Sequence, residues 1–305
     1  MQLMDKCNIF METTILIRGD LMIWKRSWNI LDKKECMIVI ICLVTIFYMN
    51  LLDSSSNTSL LQGILSLQRD DLLDNFAGSY IWQIYSVART NEALLYFLPA
   101  LLGIVTTKRF LDEWNSQYII HILGRIDKRI YLSQMIQNTI LISIGITLVS
   151  WILFCITAFF LLIPLNEYEP SMQCVIYTAL TGVNIQNIHD IQYSILFFNI
   201  FLSLAELLAF AAFVGLFDIL IAAISRNLYI TLCLPCYIFY VLNLLHRRLW
   251  LINGKTWAKY LTPEILLEWD KNNLIGYIAC LIVLYIISTT IFYYYMNKGV
   301  DKCNG

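Results

Sequence analysis

Residues 99–136, PALLGIVTTKRFLDEWNSQYIIHILGRIDKRIYLSQMI, decide how this chain is read. An apolar run ends at Thr107, a charged amphipathic stretch of about thirty residues follows, and a second apolar run begins near Thr139. A membrane protein that only has to turn around needs a handful of residues to do so. A stretch this long, carrying Lys108, Arg109, Arg125, Lys128 and Arg129, reads as a folded cytoplasmic element with a partner to engage.

Composition sets the solvent. The chain has 305 residues, 59% of them hydrophobic and only 14% charged, with a mean hydropathy of +0.65. A soluble domain of that size could not cover its surface with so few charges, so much of the chain is expected to lie in a bilayer. The net charge of −1 gives no reason to expect a nucleic-acid partner. The first thirty-six residues hold six Lys/Arg and no small-residue cleavage site, so no cleavable signal is expected and the first span stays in the mature protein.

Six apolar segments stand out: 36–52, 93–107, 139–163, 193–224, 228–245 and 274–295. Each approximates the roughly 20 residues a helix needs to cross about 30 Å of hydrocarbon. Backbone groups in lipid must bond within their own segment, so the expected fold is an all-α membrane protein of six transmembrane helices. The fourth segment is longer than a simple span, and the sequence leaves open one long helix or two half-helices. With both termini inside, the cytoplasmic segments hold fourteen Lys/Arg against seven in the external loops. That bias favours an N-in, C-in orientation. The external loop 53–92 reads as a short helical cap, and the whole chain, 1–305, as one transmembrane domain.

Before the first span, within residues 1–35, Ile17, Leu21, Trp24, Trp28 and Leu31 fall on one helical stripe, with Arg18 and Lys25 among the residues of the next. Trp24, Lys25 and Trp28 are therefore expected on a helix lying in the inner headgroup layer, since Trp and Lys both prefer that depth, the alternative being a helix packed against the bundle.

Several chemistries lack their residues. The three histidines, His121, His189 and His246, form no HExxH zinc motif, and no GxSxG elbow occurs. Gly254-Lys255-Thr256 ends like a phosphate-binding loop, but Leu249 stands where its first glycine belongs. Cys233 and Cys236 have CxxC spacing in an apolar span with no second ligand pair nearby. Two intramembrane carboxylates remain, Glu206 and Asp218. An ionisable group in hydrocarbon is costly and is a candidate site by default; of the two, Glu206 is the preferred pathway residue.

Taken together these pieces resemble the membrane subunit of ATP-binding-cassette exporters with the type-2 permease fold. The resemblance rests on the charged run LDKKEC after the interfacial helix and on FLDEWNSQYIIHILGRIDKRIYLSQ. It rests also on LIAAISRNLYITLCLPCYIFYVLNLL and on LTPEILL with its Pro263. In the second of these, Glu113, Tyr118, Ile119, Arg125, Lys128, Arg129 and Tyr131 follow the family pattern, while Gln117 and Gln134 depart from it. The third matches through Ser225, Asn227, Tyr229 and Pro235.

The resemblance implies that 108–138 holds a coupling helix docking on a separate ATPase subunit through Asp112, Glu113, Tyr118, Ile119, Arg125, Lys128 and Arg129. It implies a homo- or heterodimer of permeases in the cell membrane, the bacterial plasma membrane, with no catalytic residue in this chain and ATP and Mg on the partner. A peptide, lipid or drug-like amphiphile fits as cargo. Two other readings stay open: a secondary transporter relaying ions through Glu206, and a non-transporting membrane immunity or scaffold protein.

Overall fold

The computed structural model describes residues 33–49, 78–87, 92–116, 118, 128–185, 187–253, 279 and 282–294. Among these residues the chain forms eight α-helices and no strand. In chain order they are α1 (Lys33–Met49), α2 (Tyr80–Ser86), α3 (Glu92–Asn115), α4 (Lys128–Leu161), α5 (Pro170–Thr181), α6 (Tyr193–Ser225), α7 (Leu228–Asn253) and α8 (Ile282–Tyr294). The chain divides into two compact units, Met1–Ile38 and Val39–Gly305. Of the first, the described residues are 33–38, the opening turns of α1; the packing below belongs to the second. The expected interfacial helix with Trp24, Lys25 and Trp28 lies outside the described residues.

Among the described residues three helices are long and apolar enough to cross a membrane, over Arg129–Leu161, Tyr193–Ser225 and Leu228–Leu245. α8 is a shorter apolar helix. The fourth apolar segment is one unbroken helix, α6, of 33 residues. It holds no proline, and its single glycine, Gly215, serves packing rather than a break. At 1.5 Å per residue α6 is about 50 Å long, well beyond the hydrocarbon thickness, so in a bilayer it would have to tilt or project. α3 and α4 also run past the apolar runs they contain, to Asn115 at one end and back to Lys128 at the other. Neither extension contains Gly or Pro, and adding residues to an existing helix costs far less than starting one.

α6 is the axis of the bundle. Most of it is buried, whereas α4 and α7 turn most of their apolar surface outward. Against α4, Gly215 lets the two backbones approach: a Cβ there would sit 2.0 Å from the Ser143 hydroxyl. Between helices in lipid, close approach through small residues replaces the hydrophobic drive of a soluble core. Against α7, Phe210, Phe213 and Phe217 surround Phe239 with ring centroids 5.7–6.5 Å apart. Edge-to-face aromatic pairs add about 0.5–1.5 kcal/mol each beyond their buried area. α1 packs on α4 through Phe47 and Tyr48 against Phe154, with the Tyr48 hydroxyl bonded to that of Thr157 at 2.6 Å. Five buried or half-buried helix hydroxyls are satisfied locally. Thr106, Thr107, Thr139, Ser143 and Ser150 each donate to the carbonyl four residues earlier.

The two ends of this bundle differ. At one, the N-terminus of α6 meets α2, α5 and residues 163–168 around Ile81, Tyr85, Tyr168, Tyr177 and Leu196. Ser79 and Ile163 form a single parallel bridge there, with Tyr80 N–H to Ile163 O at 3.2 Å. α5 is a helix in the stretch between the apolar segments 139–163 and 193–224. Its boundaries are marked in the sequence by Pro170 in the first turn and by Gly182 just past the end, at φ 70°. At the opposite end, α3, α4, the α6–α7 turn and α8 converge around Phe110, Leu132, Leu220, Ala223 and Phe292.

Candidate functional site at the charged end of the bundle

The last turns of α3 carry Arg109, Asp112, Glu113 and Trp114. Glu113 is the fixed point. Its Oε1 accepts from the Arg109 Nε at 2.8 Å, four residues back on the same helix. Its Oε2 accepts from the Tyr131 hydroxyl of α4 at 2.9 Å. Arg109 is about half exposed and Glu113 is largely covered. The exposed i,i+4 pair alone contributes a few tenths of a kcal/mol. The bond from Tyr131 is the stronger tie, because a charged acceptor roughly doubles a hydrogen bond. Glu113 therefore brackets α3 to α4, and both its oxygens are used.

Trp114 reaches in another direction. It packs against Phe110, and the Arg226 guanidinium lies 4.4 Å from its ring centroid. Arg226 is the left-handed cap of α6, at φ 53°, and its backbone N–H bonds to Ala222 O at 2.9 Å. The chain then reverses in two residues. Asn227 opens α7 as its cap, its Oδ1 accepting the Tyr229 N–H at 2.9 Å. One turn of α3 thus holds two other elements, α4 through Glu113 and the α6–α7 turn through Trp114.

The remaining sequence candidates are placed as follows. Asp112 is exposed on α3, Tyr118 is exposed just beyond it, and Arg129 is exposed in the first turn of α4. Lys128 opens α4, but its side chain is outside the described residues, as are Ile119 and Arg125. The structure brings Glu113 and Tyr131 together. Trp114 and Arg226 were not singled out in the sequence, since nothing local links residues 112 positions apart.

Glu206 and Asp218 both lie on the buried faces of α6. Glu206 continues a polar stripe with Asn199 and Ser203, and Asn199 ties this stripe to α5 by donating to Leu180 O at 3.2 Å. Asp218 is twelve residues on, about 18 Å along the axis and about a third of a turn round the helix. It faces Gly103 of α3, and the Cys236 thiol of α7 lies within its electrostatic reach. The two carboxylates are therefore too far apart along α6 to touch.

Comparison with protein-family models, curated proteins and solved structures returned no match. The functional argument therefore rests on geometry. Among the described residues no three His, Cys, Asp or Glu side chains gather as a metal site. At the end opposite the charged cluster, an open groove of about 900 Å³ runs along α5, lined by Cys174, Val175, Thr178, Ile185 and His189.

Proposed function

We propose that this chain is the permease subunit of an ATP-driven exporter, with six spans, both termini inside, and coupling to a separate ATPase through residues 108–138. The observation that carries the reading is the double attachment of the α3 end. A partner docking beside Asp112 and Arg129 would push on a turn already fixed to α4 by Glu113 and to α6–α7 by Trp114. Displacement there reaches every long helix at once, as a shear or hinge transition of packed helices requires. Both signs of charge are presented, which suits a groove on a soluble protein better than a headgroup layer, which gives no reason for an acid.

The outward-facing apolar surfaces of α4 and α7 are shared between lipid and a second permease copy. An amphiphilic cargo fits the mainly apolar groove beside α5, which contains no Lys or Arg among its lining residues. ATP and Mg belong to the ATPase subunit. The site of action is the cell membrane, the bacterial plasma membrane.

The test is co-purification from native membranes in mild detergent, comparing wild type with Glu113→Lys combined with Arg125→Glu. A nucleotide-binding subunit retained by wild type and lost from the variant supports the coupling role. Its consistent absence from wild type removes the exporter reading. Transport that follows an ion gradient without an ATPase, and that Glu206→Gln abolishes, would establish the secondary-transporter reading instead.

A further inference from the structure

Asp218 lies where α6 meets α3 and α7, beside Gly103 and Cys236. It is fully buried, and neither carboxylate oxygen has a hydrogen-bond partner among the described residues. Both helices packed on it there are interrupted by proline. Pro99 lies inside α3 and Pro235 inside α7, and each removes one backbone bond from its helix. The interruptions adjoin: Cys236, next to Pro235, lies against the backbone of Ala100, next to Pro99. Gly103, one turn on from Pro99, lies beside the carboxylate: a Cβ there would be in ordinary contact with Asp218 Oδ2 at 3.5 Å and would crowd Leu232 Cδ2 of α7 at 2.9 Å.

A buried carboxylate with no donor and no cation beside it is costly as an anion, and protonation removes the charge penalty, leaving the smaller cost of an unpaired neutral carboxyl. Among the described residues the surroundings supply no other remedy. On α7 the titratable neighbour is the Cys236 thiol, which is itself bonded to Leu232 O at 3.2 Å, while Cys233 is exposed. On α3 the flanking groups are Tyr96, seven residues before Gly103, and Lys108, five residues after it and exposed. On α4, Arg129 and Tyr131 stand at the charged end and Cys155 far along the helix; α8 offers Tyr285, Tyr293 and Tyr294. Glu206 is on α6 itself, twelve residues away.

We propose that Asp218 is a proton-binding site at a proline-softened junction, holding its proton while α3, α6 and α7 are packed and releasing it to water when they part. The proton leaves from the carboxyl oxygen to water and nothing is oxidised or reduced. Packing of the junction is thereby linked to pH, whatever drives the opening. The proposal does not depend on an ATPase, so its failure and that of the exporter reading are separate events.

Dicyclohexylcarbodiimide reports such a site. The carboxyl O–H adds across one C=N bond of the reagent, and the acyl group then moves from oxygen to nitrogen, leaving a stable N-acylurea with no leaving group. Full-length protein in native membranes at pH 8 is treated with the reagent and mapped by mass spectrometry. The expected result is modification of Asp218 about tenfold or more above the exposed Asp112 and Glu167, because only the protonated acid in an apolar setting reacts. No modification at Asp218 overturns the proposal. So does protection by sodium chloride but not choline chloride, which would make the occupant a metal cation.

A second measurement uses Asp218→Asn, which keeps the shape of the neutral acid and removes the proton. A group protonated in the native state and ionised in the unfolded chain lowers stability as pH rises, by up to about tenfold in the folding constant per unit. Wild type is therefore expected to lose melting temperature between pH 5 and pH 9 relative to Asp218→Asn. Parallel profiles for the two proteins overturn the proposal.

Discussion

At the scale of single residues, Glu113 is the acid whose position explains itself. Lipid anchoring accounts for the basic residues of 108–138 but gives no use for a carboxylate, and the structure shows that use as a bracket between α3 and α4. Tyr131→Phe should cost about 1–2 kcal/mol, since a charge-assisted bond at a half-buried site is lost while the ring stays packed. Glu113→Gln should cost a similar amount. Because the two share one bond, the double variant should fall short of the sum by about 0.5–1 kcal/mol in detergent melting experiments. Additive losses would mean that the bond contributes nothing and that α3 and α4 are held by Leu132 and Phe110 alone. Of this cluster, the sequence marks Glu113 as a candidate docking acid and Tyr131 only as part of the family pattern, while the bond between them is seen only in the structure. Trp114 over Arg226 was not, because a cation–π contact between residues 112 apart leaves no local spacing to read. Asp218 was legible as a buried carboxylate. That α3 and α7 bring Gly103 and two proline-containing turns beside it was not legible, because those neighbours lie more than a hundred residues before it or on the next helix.

Among the elements, α6 shows where hydropathy stops informing. Its composition announces a helix and its length announces something more than one span, yet only the absence of a break within it decides between one helix and two. The helix ends at α5 were written more plainly, in Pro170 and Gly182, and a reading that follows apolar runs alone passes over them. Packing between elements depends on single atoms that composition cannot weigh. Gly215 and Gly145 look alike in sequence, but an added methyl at Gly215 meets the Ser143 hydroxyl at 2.0 Å, whereas at Gly145 it meets nothing within 4 Å. Gly215→Ala should therefore lose about 1–3 kcal/mol by forcing α4 and α6 apart. Gly145→Ala should be neutral or gain up to about 1 kcal/mol from helix propensity. Ser143→Ala should restore part of the Gly215→Ala loss, since it removes the nearer atom and leaves the Ser143 Cβ at 3.0 Å. Equal melting temperatures for the two glycine variants would show that α4 and α6 are not in register as described.

For the whole molecule, the question is which end faces which compartment. α4 runs between the two ends: Leu132 and Ile136 belong to the cluster with Phe110 and Ala223, while Ile163, just past its last turn, belongs to the cluster with Tyr168 and Leu196. If α4 crosses the bilayer once, Ser116 and Asn166 must lie on opposite sides, whatever the number of spans elsewhere. The Lys/Arg bias then gives the direction, with Ser116 inside beside Lys108 and Arg109, and Asn166 outside in a segment that holds neither residue type. Both residues are exposed, so cysteines placed there report access rather than packing. In a background lacking the native cysteines, Asn166→Cys should react with a membrane-impermeant maleimide on intact cells, and Ser116→Cys only after permeabilisation. The reverse pattern would place the Glu113 cluster outside, where no ATPase subunit could reach it, and would end the exporter reading while leaving the bundle intact. Labelling of both from one side would mean that α4, despite about 50 Å of helix, does not span at all.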